Sequence, residues 1–178
     1  MKKQLLYYGF DAERLEKVIT VAEKFGIETN EVRQEDLEQK VAALFNLEGY
    51  EREDVDYIDI PKVEMLLFGD LDRNILQSYL MALKEKEVVV PYKAVITETS
   101  KDWKFSYLLE HIKDEHEVVQ LFNQLGKLTK KAQKKLDTVG NSELREAIDY
   151  ALSIREINGV EKEDILPRYN RLKEALGE

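Results

Sequence analysis

VVVPYKAVITETSKDWKFSYLLEHIKDEH, residues 88–116, decides the fold. Val88, Val89 and Val90, then Ala94, Val95 and Ile96, are β-branched or small apolar residues around Pro91 and Tyr92, and they predict a buried strand or a bent pair of strands. Pro91 has no N–H to give a ladder, which places it at a strand start, an edge or a bulge. The polar run Thr97, Glu98, Thr99, Ser100 follows, and its hydroxyls can accept from the orphan N–H groups that open a helix. From Trp103 the apolar residues Tyr107, Leu108 and Ile112 fall at helical spacing. Strand, hydroxyl-rich loop and amphipathic helix therefore follow one another.

Working outward, the same order occurs upstream. Gln4 to Phe10 is a short strand candidate, and Asp11 sits as N-cap before a helix with Leu15, Val18, Ile19, Ala22 and Phe25, which Gly26 ends. A weaker strand runs from Ile27 to about Val32, and Asp36 opens a second helix with Leu37, Val41, Leu44 and Phe45 on one face. YEREDVDYIDIP, residues 50–61, is an acidic connector with room for a short strand at Tyr57–Ile60. Lys62 to Phe68 predicts the next strand, and Asp70 or Asp72 caps a helix with Ile75, Leu76, Tyr79, Leu80 and Leu83.

The halves repeat. A shift of 61 residues pairs Leu5 with Leu66, Tyr7 with Phe68, Asp11 with Asp72, Leu15 with Leu76 and Ile19 with Leu80; a shift of 66 pairs Asp36 with Asp102, Leu37 with Trp103 and Val41 with Tyr107. The fold expected for residues 1–116 is α/β, two βαβα halves (1–49 and 62–116) joined by the connector 50–61. They form a four-stranded, mainly parallel sheet in the order 2-1-3-4. A ferredoxin-like α+β sheet, with antiparallel strands near 27–32 and 57–68, is the alternative.

Residues 117–178 change character and predict a helical appendage. Val118, Leu121, Leu125, Leu128, Ala132 and Leu136 make one stripe; Gly140 breaks it, and Ser142 can cap a helix with Leu144, Ile148, Ala151 and Leu152. After Asn158-Gly159 a last helix starts near Asp164, with Pro167 tolerated only in its first turn.

The run K-A-V-I-T-x-T-S-x-x-W from Lys93 to Trp103, followed by L-L-E-H-I-x-D-E-H from Leu108 to His116, resembles the uncharacterised bacterial family known as domain of unknown function number 3783. Lys93, Thr97, Thr99, Trp103, Glu115 and His116 match its pattern, while Ser100 stands where the family has asparagine and so lacks the amide's second donor. The resemblance spans Val63 to His116 and implies no activity, because the family has none assigned.

Composition narrows the function classes. Hydrophobic residues at 43% and charged residues at 35% describe a globular protein. The absence of cysteine removes disulfides, thiol catalysis and thiolate-bound metals. No apolar run approaches the roughly 20 residues of a membrane span, and Leu5 to Phe10 is too short for a signal-peptide core, so a cytoplasmic protein without membrane contact is expected. The net charge of −9 lies wholly in residues 1–116, since residues 117–178 are balanced. An acidic front domain argues against nucleic acid as partner.

Four constellations could carry function. His111 and His116 lie ~140° apart around a helix, a spacing that spoils a two-histidine metal site; a His111–Glu115 surface pair is expected, with no metal and no cofactor. Asp11, Asp70 and Asp72 follow strands one and three, where an open α/β sheet places ligands, although Asp11 and Asp72 also fit as helix N-caps. Gly9 and Gly69 beside them form no phosphate loop. Lys93, Thr97, Thr99 and Trp103 are grouped by the resemblance, and Trp103 also fits as core. Lys127, Lys130, Lys131, Lys134 and Lys135 cluster opposite the leucine stripe and face either solvent or a polyanion. The reading is an interaction or regulatory module that binds a protein partner or itself through the helical tail. The alternative is a small-ligand-binding protein or enzyme using the loops Gly9–Asp11, Gly69–Asp72 and Thr97–Asp102.

Overall fold

The computed structural model describes residues 3–178, apart from the side chain of Val139. In chain order the elements are β1 (Gln4–Tyr8), α1 (Ala12–Lys24), β2 (Glu28–Glu31), α2 (Val41–Leu44), β3 (Met65–Gly69), α3 (Arg73–Glu85), β4 (Tyr92–Val95), α4 (Phe105–Val139), α5 (Ser142–Leu152) and α6 (Lys162–Leu176). Short 3-10 turns lie at Gln34–Asp36, Ser100–Asp102 and Ser153–Glu156. The chain divides into two compact units, Met1–Lys113 and Asp114–Glu178, and α4 contributes to both.

The first unit is built on a mixed sheet in the order β2-β1-β3-β4. β1 pairs parallel with β2, β3 pairs parallel with β4, and the central pair β1–β3 is antiparallel. The alternation of side chains along β1 and β3 splits the core in two. Leu5, Leu66 and Phe68 pack with Val18, Val21 and Ala22 of α1 and Tyr79 and Leu83 of α3. Leu6, Tyr8, Met65 and Leu67 point the other way, onto Val41 and Leu44 of α2 and Phe105, Leu108 and Leu109 of α4. Both central strands are buried on both faces, which is why they read as continuous apolar runs. Each such side chain contributes roughly 1.5–3 kcal/mol by leaving water. β3 and α3 begin and end 61 residues after β1 and α1, and β4 follows β2 by 64.

Several expectations are corrected. Val88 to Val90 form no strand: Val88 and Val90 are buried loop residues in the α1/α3 core, Val89 is exposed, and β4 starts after Pro91. As an edge strand β4 is half covered, with Val95 exposed. Asp36 closes a 3-10 turn, and α2 starts only at Val41. Tyr57–Ile60 is not a strand, and no antiparallel pair links residues 27–32 to 57–68, so the ferredoxin-like arrangement is absent from the described residues.

The second unit packs Leu125, Leu128 and Ala132 of α4 against Leu144, Ala147, Ile148 and Ala151 of α5, and Ile165, Leu172 and Leu176 of α6. Asn141, rather than Ser142, caps α5, its Oδ1 accepting from Glu143 N at 2.9 Å. A capping box between Glu161 and Asp164 starts α6 earlier than Asp164, leaving Pro167 in the second turn. One intrahelical bond is lost there. Among the described residues no helix is long and apolar enough to cross a membrane.

Candidate functional site

The antiparallel centre of the sheet separates the carboxylates. β1 ends beside Met65 and β3 ends beside Gln4, so the loops after these strands leave from opposite ends, about 17 Å of strand apart. Asp11 caps α1, accepting from Arg14 N at 2.9 Å, and Asp72 caps α3, accepting from Asn74 N at 2.8 Å. Asp70, at φ 52, shares its end of the sheet with Thr97 and Thr99, because Ile96 N donates to Phe68 O. The three loops therefore do not frame one pocket. Beside Asp11, Arg14 clamps Glu64 with Nε at 2.5 Å and Nη2 at 2.8 Å and also reaches Val89 O, a link between α1 and the chain before β3 and β4.

The motif residues are held by their own backbone. Lys93 Nζ donates to Val90 O at 3.0 Å. Thr97 N donates to Ser100 Oγ and Ser100 N to Thr97 Oγ1, both at 3.0 Å, a reciprocal box that turns the chain from β4 toward α4. A hydroxyl at position 100 suffices for that box. Thr99 is exposed. Trp103 is half-buried at the edge of the α2/α4 core and forms a step with Tyr107 and His111: ring centroids are 5.0 Å from Trp103 to Tyr107 and 5.2 Å from Trp103 to His111. Tyr107 is 54% exposed. His116 pairs with Gln120 at 2.7 Å. Among the described residues no group of three or more His, Cys, Asp or Glu converges as a metal site.

Residues 37–41 run against residues 103–106: Val41 N donates to Trp103 O, Phe105 N to Gln39 O and Ser106 N to Leu37 O, with a lone antiparallel bridge between Lys40 and Lys104. Glu38 accepts from Lys104 Nζ and Ser106 Oγ, each at 2.5 Å. These bonds, the lysine's foremost, hold its carboxyl below the ordinary 4.5. A depressed folded value means that Glu38 contributes stability above the unfolded pKa and loses it as pH falls through the folded one. Glu38→Gln is expected to flatten the loss of stability as pH falls below the ordinary 4.5 in a urea-denaturation series; an acid limb as steep as in the parent chain would contradict this.

Over this pairing lies the connector. From residue 51 to 63 it makes no main-chain to main-chain hydrogen bond among the described residues. Side chains hold it instead. Gln39, only 6% exposed, donates to Glu53 O at 2.7 Å and accepts from Glu53 N at 3.0 Å, and Gln34 Nε2 donates to Ile58 O at 3.1 Å and Ile60 O at 3.3 Å. Ile58, Ile60 and Val63 pack on the α2/α4 core. Arg52 reaches the buried Asp36 at 2.5 Å, and Lys40 lies 3.9 Å from Glu53. Clefts flank this strap: one of 390 Å³ between its acids and Lys40 and Lys104, and one of 390 Å³ between Ile58, Ile60, Pro61 and Tyr107. Gln34, Gln39 and Arg52 escaped sequence reading, since an amide that grips a distant main chain leaves no local pattern.

In the second unit, Lys131 pairs with Glu178, and Lys135 Nζ donates to Leu176 O at 2.9 Å; Lys127, Lys130 and Lys134 are exposed. On α4, Val119 is 56% and Phe122 42% exposed. Phe122 borders a 160 Å³ slot lined also by Leu125, Gly126, Ala151, Ile154, Lys130 and Arg155.

No curated protein and no solved structure matches the chain. Residues 64–119, from β3 to the first part of α4, match the model of the family described as Domain of unknown function (DUF3783).

Proposed function

We propose that the protein is an interaction or regulatory module that performs no chemical step and self-associates through its helical unit. The observation that carries the reading is the apolar ridge of Val119 and Phe122 on α4, beside a slot whose Gly126 leaves room for an incoming side chain. Exposed apolar groups at i and i+3, beside a slot that Lys130 and Arg155 help to line, fit the pattern of a contact surface. The binding of Lys93, Thr97 and Ser100 into their own turn supports it, since those groups serve the fold.

We also take residues 1–116 to be a doubled βαβα unit, with halves 1–49 and 62–116. The shared offset of 61 residues for β1/β3 and α1/α3 supports this, as does Leu6 facing Leu67, its counterpart at that offset, in the central pair. Two copies related by a local two-fold axis meet antiparallel.

Sedimentation velocity tests the self-association. The full chain is expected to sediment above its 20.8 kDa mass at micromolar concentration, and Phe122→Asp to return it to that mass without loss of helicity. A parent chain that stays at 20.8 kDa throughout overturns the reading.

A further inference from the structure

We propose that the strap of residues 50–61 is a displaceable occupant of a peptide-binding groove, and that the groove's partner is an extended segment of another protein carrying an arginine–acid pair and two β-branched residues. The proposal rests on the interaction reading above but not on self-association. A connecting loop on a protein surface ordinarily leaves its main chain to water, and most residues of this one are exposed. This one is instead gripped as a bound peptide is. Gln39 closes a two-bond ring with the N–H and C=O of Glu53, the pairing a neighbouring strand would make, and Gln34 takes two successive same-side carbonyls, at Ile58 and Ile60. Such contacts recognise extended backbone whatever its sequence.

The selective contacts are few. Lys40 faces Glu53, and Asp56 lies in the field of Lys104. Buried Asp36 takes Arg52, and the core edge takes Ile58 and Ile60. A competing segment must therefore present an arginine followed at once by an acid, and two β-branched residues at alternate positions. The arginine is required because Asp36, once Arg52 leaves, retains only the N–H of Arg33 among these partners. Lys104 is ion-paired with Glu38 within the groove, so Lys40 is the cation left to meet a segment's acid when the strap goes. The strap is covalently attached and acts at an effective concentration in the millimolar range, so the groove is closed to weak ligands until the strap is released.

The probe is a fluorescein-labelled peptide of residues 50–63, titrated into the full chain by fluorescence anisotropy. A triple variant, Arg52→Ser with Ile58→Ser and Ile60→Ser, loosens the strap and leaves Gln34 and Gln39 intact. It is expected to bind the peptide at least about ten-fold tighter than the parent chain, and adding Gln39→Ala is expected to remove that gain. Equal binding by parent and variant, or none by a variant that keeps its circular dichroism, overturns the proposal. A variant that ignores the peptide but dimerises by exchanging straps also overturns it, since the partner would then be a second copy. Should the triple variant unfold, hydrogen exchange of the parent chain decides: excess peptide is expected to speed exchange of the Glu53 amide, and unchanged exchange counts against the idea. The peptide result and the sedimentation result are independent, so either reading can fail alone.

Discussion

Gly9→Ala is expected to abolish the native fold at room temperature, the largest effect of a methyl group added at any glycine of this chain. Gly9 follows β1 at φ +78, in the left-handed region, and a Cβ built there would lie 2.3 Å from Val63 O, 2.7 Å from Val63 C and 2.9 Å from Val63 N. The backbone strain alone is worth about 1–2 kcal/mol. The clash is larger, because its partner is backbone that cannot rotate away: Val63 leads into β3, which pairs Met65 with Tyr8 in the same ladder. Relieving it means pulling β3 off β1, against a total stability of about 5–15 kcal/mol for a domain. Gly26→Ala separates the two costs, since Gly26 has φ +63 and nothing within 4 Å of its Cβ. It is expected to lose only about 1 kcal/mol. Urea unfolding followed by circular dichroism measures both, and a Gly9→Ala protein with the midpoint of Gly26→Ala would show that the contact with Val63 is not rigid.

Tyr79→Ala is expected to cost about 3–5 kcal/mol, and Tyr79→Phe less than about 1 kcal/mol. Tyr79 is fully buried on α3, edge-on to Phe68 at 5.7 Å and to Phe25 at 6.2 Å, so the ring joins α1, α3 and the sheet. Its hydroxyl makes one long bond, 3.3 Å to Val18 O. Ring burial therefore outweighs the hydroxyl several-fold. Burial also pushes the phenol's pKa well above its ordinary 10.0. With the folded value above the unfolded one, stability is intact below about pH 10 and falls as pH rises beyond it, because the unfolded chain ionises first. Tyr79→Phe is expected to shrink that alkaline loss; a phenylalanine variant as alkali-sensitive as the parent would place its origin in another group.

The strands β1 and β3 and the caps at Asp11 and Asp72 were readable because each depends on neighbours a few residues away, while the order 2-1-3-4 came from the rules for crossovers. Leu5, Leu6, Leu66 and Leu67 are apolar on consecutive positions, which marks central strands, and an aspartate ahead of an amphipathic run marks a helix start. Val88 to Val90 misled for the same reason. Their side chains satisfy the apolar pattern by filling the α1/α3 core from a loop, and pattern alone reports burial, not the hydrogen bonds that define a strand.

What this sequence determined by itself is the set of segments that had to leave water, the period on which each did so, and the turns at Thr97–Ser100 and at the helix caps, all of them local. The tertiary structure alone decided that β3 runs against β1. Both faces of each central strand are apolar and buried, so the apolar pattern alone does not tell one direction from the other. From that single choice follow the separation of Asp11 from Asp70 and Asp72, and the passage of residues 50–61 across Gln34 and Gln39. Side-chain amides meeting a main chain some fourteen or more residues away have no signature in sequence.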